Sequence, residues 1–282
     1  MNLKILFCLF FLNSNLIASD ADSLDNKGLN WIAVGGTTLV LGGTLIYLWP
    51  GLQKSWWKQT GSFHWETTNR EMRYKNIDHL GHIYVGMEIS KLFTTTTEFW
   101  NLPKPYPEYI GPSISTLFLF GIEMKDAYTP EHGFSKVDIL SNTLGAWYPF
   151  MQKKIPQLKH YNLKYNYWKS DEKDEKNIDF VWDYGGMTYW LSADLAKVLP
   201  FENPWPEWLN LAFGYGTTRH SEIRDAMEHR ELYVGLDLNL EALPGKSKFL
   251  KRTKSLFNGW HFPMPAVKIY PDTKFYLLFY GP

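Results

Sequence analysis

An uncharged apolar stretch near the N-terminus constrains the fold more than any other feature of the chain. Residues 29–53 contain no Asp, Glu, Lys or Arg, and about 20 apolar residues suffice for a helix to cross a bilayer. The tryptophans near its two ends are Trp31, Trp49, Trp56 and Trp57. Aromatic ends of this kind are typical of membrane interfaces. The stretch is therefore either a transmembrane helix or a buried helix or hairpin of a globular bundle.

The first 21 residues resemble an export signal. Lys4 supplies the positive charge, residues 5–12 form a short apolar core, and small residues up to Ala21 offer a cleavage site. The one cysteine, Cys8, lies inside this segment, so the mature chain would carry no disulfide and no cysteine-ligated zinc. We expect an exported protein on the periplasmic side of a bacterial cell envelope, associated with a membrane.

Charge and aromatic content separate the classes of partner. The chain has 29 basic and 29 acidic side chains and no formal net charge, which excludes the strongly basic surface that nucleic-acid binding requires. Aromatic residues make up 17% of the sequence, and such rings suit membrane interfaces and β-surfaces. We expect the membrane or an envelope lipid as the partner, with an envelope protein as a further candidate.

The hydrophobic period changes from helical to alternating along the chain. Helical spacing and turn residues predict three helices, over residues 77–100, 108–128 and 135–152. Beyond Pro156 the side chains alternate every second residue, which predicts antiparallel strands. The strand candidates are Met187–Ser192, Leu209–Gly216, Leu232–Leu240 and Lys274–Tyr280. The sequence therefore predicts an α+β fold, with a helical first half and about four or five strands in the second.

Four consecutive regions are expected along the chain. They are a signal peptide at residues 1–21, an apolar or transmembrane segment at 29–53, a helical domain at 60–155 and an antiparallel β-rich domain at 160–282. The charged stretch from Lys169 to Lys176 is predicted to be a solvated loop.

Each of the three predicted helices carries a polar pair in an otherwise apolar setting. The pairs are Asp78 with His82, Glu123 with Asp126, and Asp138 with Asn142. Residues three or four apart share a helix face. Because ionisable groups in apolar surroundings are unfavourable without partners, we expect the six side chains to converge. Antiparallel neighbouring helices would bring them to one end of the bundle.

Three functions fit such a cluster. A binding site would hold a divalent cation, through the histidine and the oxygen ligands, or an envelope-lipid headgroup. The ligands would then be Asp78, His82, Glu123, Asp126, Asp138 and Asn142. An envelope hydrolase would use His82 as the general base, and its other candidate catalytic residues are Asp78, Glu123 and Asp138. A structural scaffold would use the same groups only to fix helix packing. The sequence holds no HExxH, Gly-x-Ser-x-Gly, P-loop or dinucleotide-binding motif that would choose among the three.

Helical and strand motifs stand in order over most of residues 60–240. The helical ones are Asp78-His79-Leu80-Gly81-His82, Glu123-x-x-Asp126 and Gly133-Phe134-Ser135-x-x-Asp138-x-x-x-Asn142-x-x-Gly145. The strand ones are Tyr189-Trp190-Leu191-Ser192, Trp208-Leu209-Asn210-Leu211-Ala212-Phe213-Gly214-Tyr215-Gly216 and Tyr233-Val234-Gly235-Leu236-Asp237. Together they resemble the YfiM-like family of predicted periplasmic lipoproteins, and the helical motifs are also similar to those of VanZ-like membrane proteins. The resemblance implies an envelope location and no particular reaction. This chain has His79 where the family usually has Lys, and it has no lipobox.

Overall fold

A computed structural model describes most of the chain after the expected signal peptide. The described residues are 28–55, 57–66, 74–170, 183–199, 201, 204–219, 227–245 and 247–281. The signal peptide expected at residues 1–21 and residues 171–176 of the charged stretch lie outside them. The chain forms two compact units. The helical unit comprises residues 1–68 and 85–150, and the sheet unit comprises residues 69–84 and 151–282.

Among the described residues, four long helices precede the sheet. They are α1 (Trp31–Ser55), α2 (Ile77–Phe99), α3 (Tyr106–Asp126) and α4 (Lys136–Lys154). The three helices predicted after residue 76 are confirmed, and each predicted end lies within two residues of the observed one. Pro107 lies in the first turn of α3, where a backbone N–H has no intrahelical acceptor. Ser135 caps α4, because its Oγ accepts a hydrogen bond from the amide of Asp138 at 3.2 Å.

Among the described helices, α1 alone is long and apolar enough to cross a membrane, over Trp31–Gly51. Asn30 caps its start, where Oδ1 accepts from the amide of Ala33 at 3.1 Å. The Trp100 indole donates to Thr37 Oγ1 at 2.7 Å. Contacts at the buried Ala33 and Thr37 hold the first turns of α1, while most of its large apolar side chains are exposed.

The second half of the chain forms one six-stranded antiparallel sheet, which confirms the predicted α+β class. In order across the sheet, the strands are β1 (Tyr161–Tyr167), β2 (Met187–Ala193), β3 (Leu209–Arg219), β4 (Met227–Leu238), β5 (Ala266–Tyr270) and β6 (Lys274–Tyr276). The connections contain the short helices α5 (Leu195–Val198) and α6 (Lys248–Phe257). Sequence patterns missed β1 and β5, and the last strand ends at Tyr276 rather than at Tyr280.

The two longest strands bury the face opposite to their leucines. The buried residues of β4 are Glu231, Tyr233, Gly235 and Asp237, and those of β3 include Asn210, Ala212, Gly214 and Gly216. On the other face, Leu232 is 39% exposed and Phe213 is 52% exposed. Alternation therefore identified these strands correctly, but hydrophobicity did not identify the buried face.

A buried ion pair joins the inner face of β1 to that of β4. Lys164 Nζ lies 2.6 Å from Asp237 Oδ2, and both side chains are fully buried. The ammonium also donates to the carbonyl of Leu238 at 2.7 Å, and the Ser192 hydroxyl donates to Asp237 at 2.6 Å. Three strand spacings in a flat sheet would separate β1 from β4 by about 14 Å. The sheet must therefore curl for this pair to form.

An imidazole stacks on the indole of β2 inside the same sheet unit. The ring centroids of His261 and Trp190 are 4.0 Å apart, and their planes meet at 9°. His261 Nε2 lies 3.2 Å from the carbonyl oxygen of Leu236, which makes it the donor of that hydrogen bond. Burial lowers the pKa of His261 to about 4, and the attraction of Asp237 only partly opposes this effect. The imidazole is therefore neutral at pH 7.

The start of α2 packs within the sheet unit through a largely aromatic cluster. Ile77 is fully buried, and it packs in one cluster with the buried Tyr165, Met187 and Tyr189. The Tyr84 hydroxyl donates to the carbonyl of Gly259 at 3.0 Å. These contacts fix the rotation of the first two turns of α2.

Candidate functional site

Three of the six predicted site residues converge inside the helical unit. Glu123 of α3 and Asp138 and Asn142 of α4 are at most 2% exposed. The Asn142 side-chain amide donates to Glu123 Oε1 at 3.3 Å. One carboxylate oxygen of Glu123 and one of Asp138 lie within 4.8 Å of each other. The helical unit thus buries two acids side by side, with an amide beside them.

The local sequence explains why α4 presents polar groups inward. Asp138 lies in the first turn, where the helix dipole favours a negative charge. Asn142 follows one turn later on the same face. The other buried residues of this helix are Ser141, Gly145 and Ala146. The side chains on the inward face of α4 are therefore small and polar along the length of the helix.

Close approach at Gly86 sets the spacing of the helices beside the acids. A β-carbon added there would lie 2.7 Å from the Asn142 carbonyl oxygen and 3.0 Å from the Ala146 amide nitrogen. The Ser115 hydroxyl of α3 donates to the Gly86 carbonyl at 2.8 Å. Helices α2, α3 and α4 therefore meet at a residue that tolerates no side chain.

Replacing Gly86 with alanine should destabilise the helical unit by about 1–3 kcal/mol, because the new β-carbon must displace backbone atoms of α4. The matched control is Gly121→Ala in α3, where nothing lies within 4 Å of an added β-carbon. Alanine is the better helix former, so the control should keep or slightly raise stability. Thermal unfolding in detergent, followed by circular dichroism, measures both variants. Equal melting temperatures would contradict the close approach at Gly86.

Asp126 organises the turn that follows α3. Its Oδ1 accepts from the Trp57 indole at 2.6 Å. Its carbonyl oxygen accepts from the amides of Thr129 at 2.9 Å and Gly133 at 3.0 Å. Gly133 has a φ of +101°, a conformation that favours glycine. These contacts bind the turn to Trp57.

An aromatic cap covers the same end of the helical unit. The cap consists of Phe63, Trp65, Tyr128 and Phe134, with the centroid of the Phe63 ring within 6 Å of each of the other three. Backbone hydrogen bonds hold it, from the Phe134 amide to the His64 carbonyl at 2.9 Å and from the Glu66 amide to the Phe134 carbonyl at 3.1 Å. Sequence reasoning missed this cap, because residues 61–66 carry no regular hydrophobic period.

Asp78, His79 and His82 lie in the first two turns of α2, within the sheet unit. Asp78 is buried, and its Oδ1 lies 4.0 Å from His79 Nδ1. Burial raises the pKa of Tyr189 well above its usual range, and the Asp78 carboxylate raises it further. The half-buried His82 stands four residues after Asp78 and four before Gly86 on one continuous helix. The sequence patterns predicted no role for His79, although its position next to Asp78 could have indicated one.

Comparison with protein-family models, with curated proteins and with solved structures finds no match to this chain. The resemblance to the YfiM-like and VanZ-like families stays a prediction.

Proposed function

We propose that the protein is an exported, membrane-associated component of the bacterial cell envelope whose helical unit binds a divalent cation. One observation supports the cation above all: Glu123 and Asp138 are buried with carboxylate oxygens within 4.8 Å. Two ionised carboxylates repel each other strongly in a low-dielectric interior, so their pairing favours a bound cation. The export signal expected at residues 1–21 and the candidate span in α1 support the location.

The ligand chemistry indicates the class of cation. Glu123 and Asp138 offer carboxylate oxygens, and Asn142 offers an amide beside them. His82 stays a nitrogen ligand expected from its spacing in the sequence alone. Ligands of this kind suit Mg²⁺, Mn²⁺ or Ca²⁺ better than a thiol-preferring metal.

The same acids bear on the lipid-headgroup alternative. Two neighbouring carboxylates repel a phosphate, so an anionic headgroup is proposed to bind only through the cation. A hydrolase with His82 as base would need the same cluster.

Titration with Mn²⁺ tests the cation site. Full-length protein in detergent should bind Mn²⁺, which is measured by loss of the paramagnetic resonance signal of the free ion, and excess Mg²⁺ should compete. Asp138→Asn should weaken Mn²⁺ binding by more than about tenfold, because a charged ligand is lost. The matched control is Asp126→Asn, since the Asp126 carboxylate accepts from Trp57. This control should bind Mn²⁺ as the unchanged protein does.

Each outcome of the titration decides between the cation-site and scaffold hypotheses. A wild-type protein that binds no Mn²⁺ would refute the cation site and support the scaffold. Equal losses in Asp138→Asn and Asp126→Asn would support the cation site and make Asp126 one of its ligands. His82→Ala should lose affinity while it keeps its melting temperature; unchanged affinity would remove His82 from the ligand set.

A further inference from the structure

Helices α3 and α4 of the helical unit bury mainly small and polar residues, which is unusual for a protein surrounded by water. The buried residues of α3 are Pro107, Gly111, Pro112, Ser115, Leu119 and Glu123. Those of α4 are Asp138, Ser141, Asn142, Gly145 and Ala146. Leu119 is the one large aliphatic side chain among them. Helices of water-soluble proteins bury their large apolar residues and expose polar ones, so the pattern of α3 and α4 is inverted.

Large apolar side chains occupy the outer faces of the same helices. We define an apolar girdle by its most informative members, which are Leu39, Ile46, Leu117, Phe120, Leu140 and Leu144. All six are more than 40% exposed, and Leu39 reaches 77%. Residues 109–122 of α3 and 139–152 of α4 contain no Asp, Glu, Lys or Arg. The girdle therefore adds the uncharged apolar surfaces of α3 and α4 to that of α1.

Aromatic rings stand at both ends of the helical unit. The aromatic cap lies at one end, where the Lys136 ammonium is 4.7 Å from the centroid of the Trp65 ring. At the start of α3 and the end of α4, the Tyr109 and Phe150 rings are 5.1 Å apart, and those of Trp147 and Phe150 are 5.4 Å apart. Two aromatic levels separated by an apolar zone are typical of the two interfaces of a bilayer.

The lengths of the four helices also fit a bilayer. The four helices have between 19 and 25 residues, which at 1.5 Å per residue gives at least about 28 Å. The hydrocarbon core of a bilayer is about 30 Å thick. Glu88 and Lys91, in the middle of α2, form a 2.9 Å ion pair with each other. Mutual pairing is the usual arrangement of charges inside a membrane.

The contacts between the helices are also of the kind that holds helices together within a lipid bilayer. A β-carbon on Gly111 would lie 2.7 Å from the carbonyl oxygen of Ser90, and Ser115 donates to the Gly86 carbonyl. Membrane helices associate through small residues and interhelical hydrogen bonds, because hydrocarbon provides no hydrophobic force between them.

We infer that the apolar girdle is covered by the acyl chains of a bilayer, so that α3 and α4 face lipid as α1 does. The inference goes beyond the proposed function, which requires only α1 as a membrane segment. Its consequence is that the Glu123–Asp138 pair lies within a membrane-embedded bundle, where polar groups depend on one another.

Spin-label accessibility in lipid vesicles tests the inference. Single cysteines at Leu117, Leu140 and Leu144, in a Cys8→Ser background, are labelled in the full-length protein. The control position is Glu131, an exposed residue of the turn before α4. Oxygen concentrates in hydrocarbon and a water-soluble nickel complex is excluded from it. The ratio of oxygen to nickel collision rates should therefore be about tenfold or more higher at the three leucine positions than at position 131.

The two collision rates distinguish a lipid environment around the apolar girdle from water and from a covering protein surface. Labels reached equally well by the nickel complex would place α3 and α4 in water and overturn the inference. Labels reached by neither reagent would show a protein surface over the girdle and also overturn it. A tenfold ratio that persists in Asp138→Asn would support the inference even if the cation site fails.

Discussion

Replacing Lys164 with methionine is expected to destabilise the sheet unit by about 3–5 kcal/mol. The ammonium of Lys164 lies 2.6 Å from Asp237 Oδ2, and neither side chain is exposed. Methionine fills a similar volume but leaves the Asp237 carboxylate buried without its cation. A buried charge that loses its partner is far more destabilising than a lost surface contact.

An exposed ion pair of the same unit provides the control. Lys197 and Glu207 pair at the surface, with side chains about half exposed, so Lys197→Met should change stability far less than Lys164→Met. Urea unfolding followed by tryptophan fluorescence measures both variants. The double variant Lys164→Met with Asp237→Leu should recover most of the loss, because no unpaired charge remains. Similar losses for Lys164→Met and Lys197→Met would contradict burial of the pair.

Acid should destabilise the sheet unit through His261. Its pKa is about 4 in the folded protein because of burial, against an ordinary value of 6.5. Between these two pH values the unfolded chain holds a proton that the folded chain does not, so unfolding becomes more favourable as the pH falls. Below about pH 4 both states are protonated and the difference stops growing. The full effect is about 3 kcal/mol.

His261→Gln removes this titration and isolates its contribution. Unfolding free energies of the variant should fall by about 3 kcal/mol less than those of the unchanged protein between pH 6.5 and pH 4. His229→Gln, which replaces an exposed histidine of β4, provides the matched control for the loss of an imidazole. Parallel pH profiles for the unchanged protein and His261→Gln would refute a depressed pKa.

The helices could be predicted because their ends carry local signals. The proline-rich segment before α3 and the Ser135 cap of α4 act on neighbouring residues. Strand β1 was missed although Tyr161, Leu163 and Tyr165 alternate with polar residues. Its polar positions include Lys164, whose burial depends on a residue in β4.

The buried faces of the sheet could not be predicted for a related reason. Hydrophobicity ranks a leucine above an aspartate for burial, yet Asp237 is buried and Leu232 is partly exposed. Asp237 becomes buried through Lys164 and Ser192, which are distant in sequence. Long-range pairing of this kind leaves no trace in a local period.

Half of the candidate site followed from spacing alone. Glu123, Asp138 and Asn142 converge because α3 and α4 are consecutive, and the three residues lie near the turn that joins these helices. Asp126 lies close to the same turn, and its Oδ1 accepts a hydrogen bond from the Trp57 indole. The sequence could not predict that contact, because Trp57 is 69 residues away.

The strand order has a consequence for how the sheet unit folds. Within the described residues, the six strands follow one another across the sheet in their sequence order, so the sheet can grow by one hairpin after another as the chain becomes available. Lys164 enters with β1, the first strand, while Asp237 arrives with β4. Until then the lysine must stay hydrated on an open sheet. Arrival of the fourth strand therefore converts a stepwise assembly into a cooperative one, because only then does closing the sheet bury a neutralised charge.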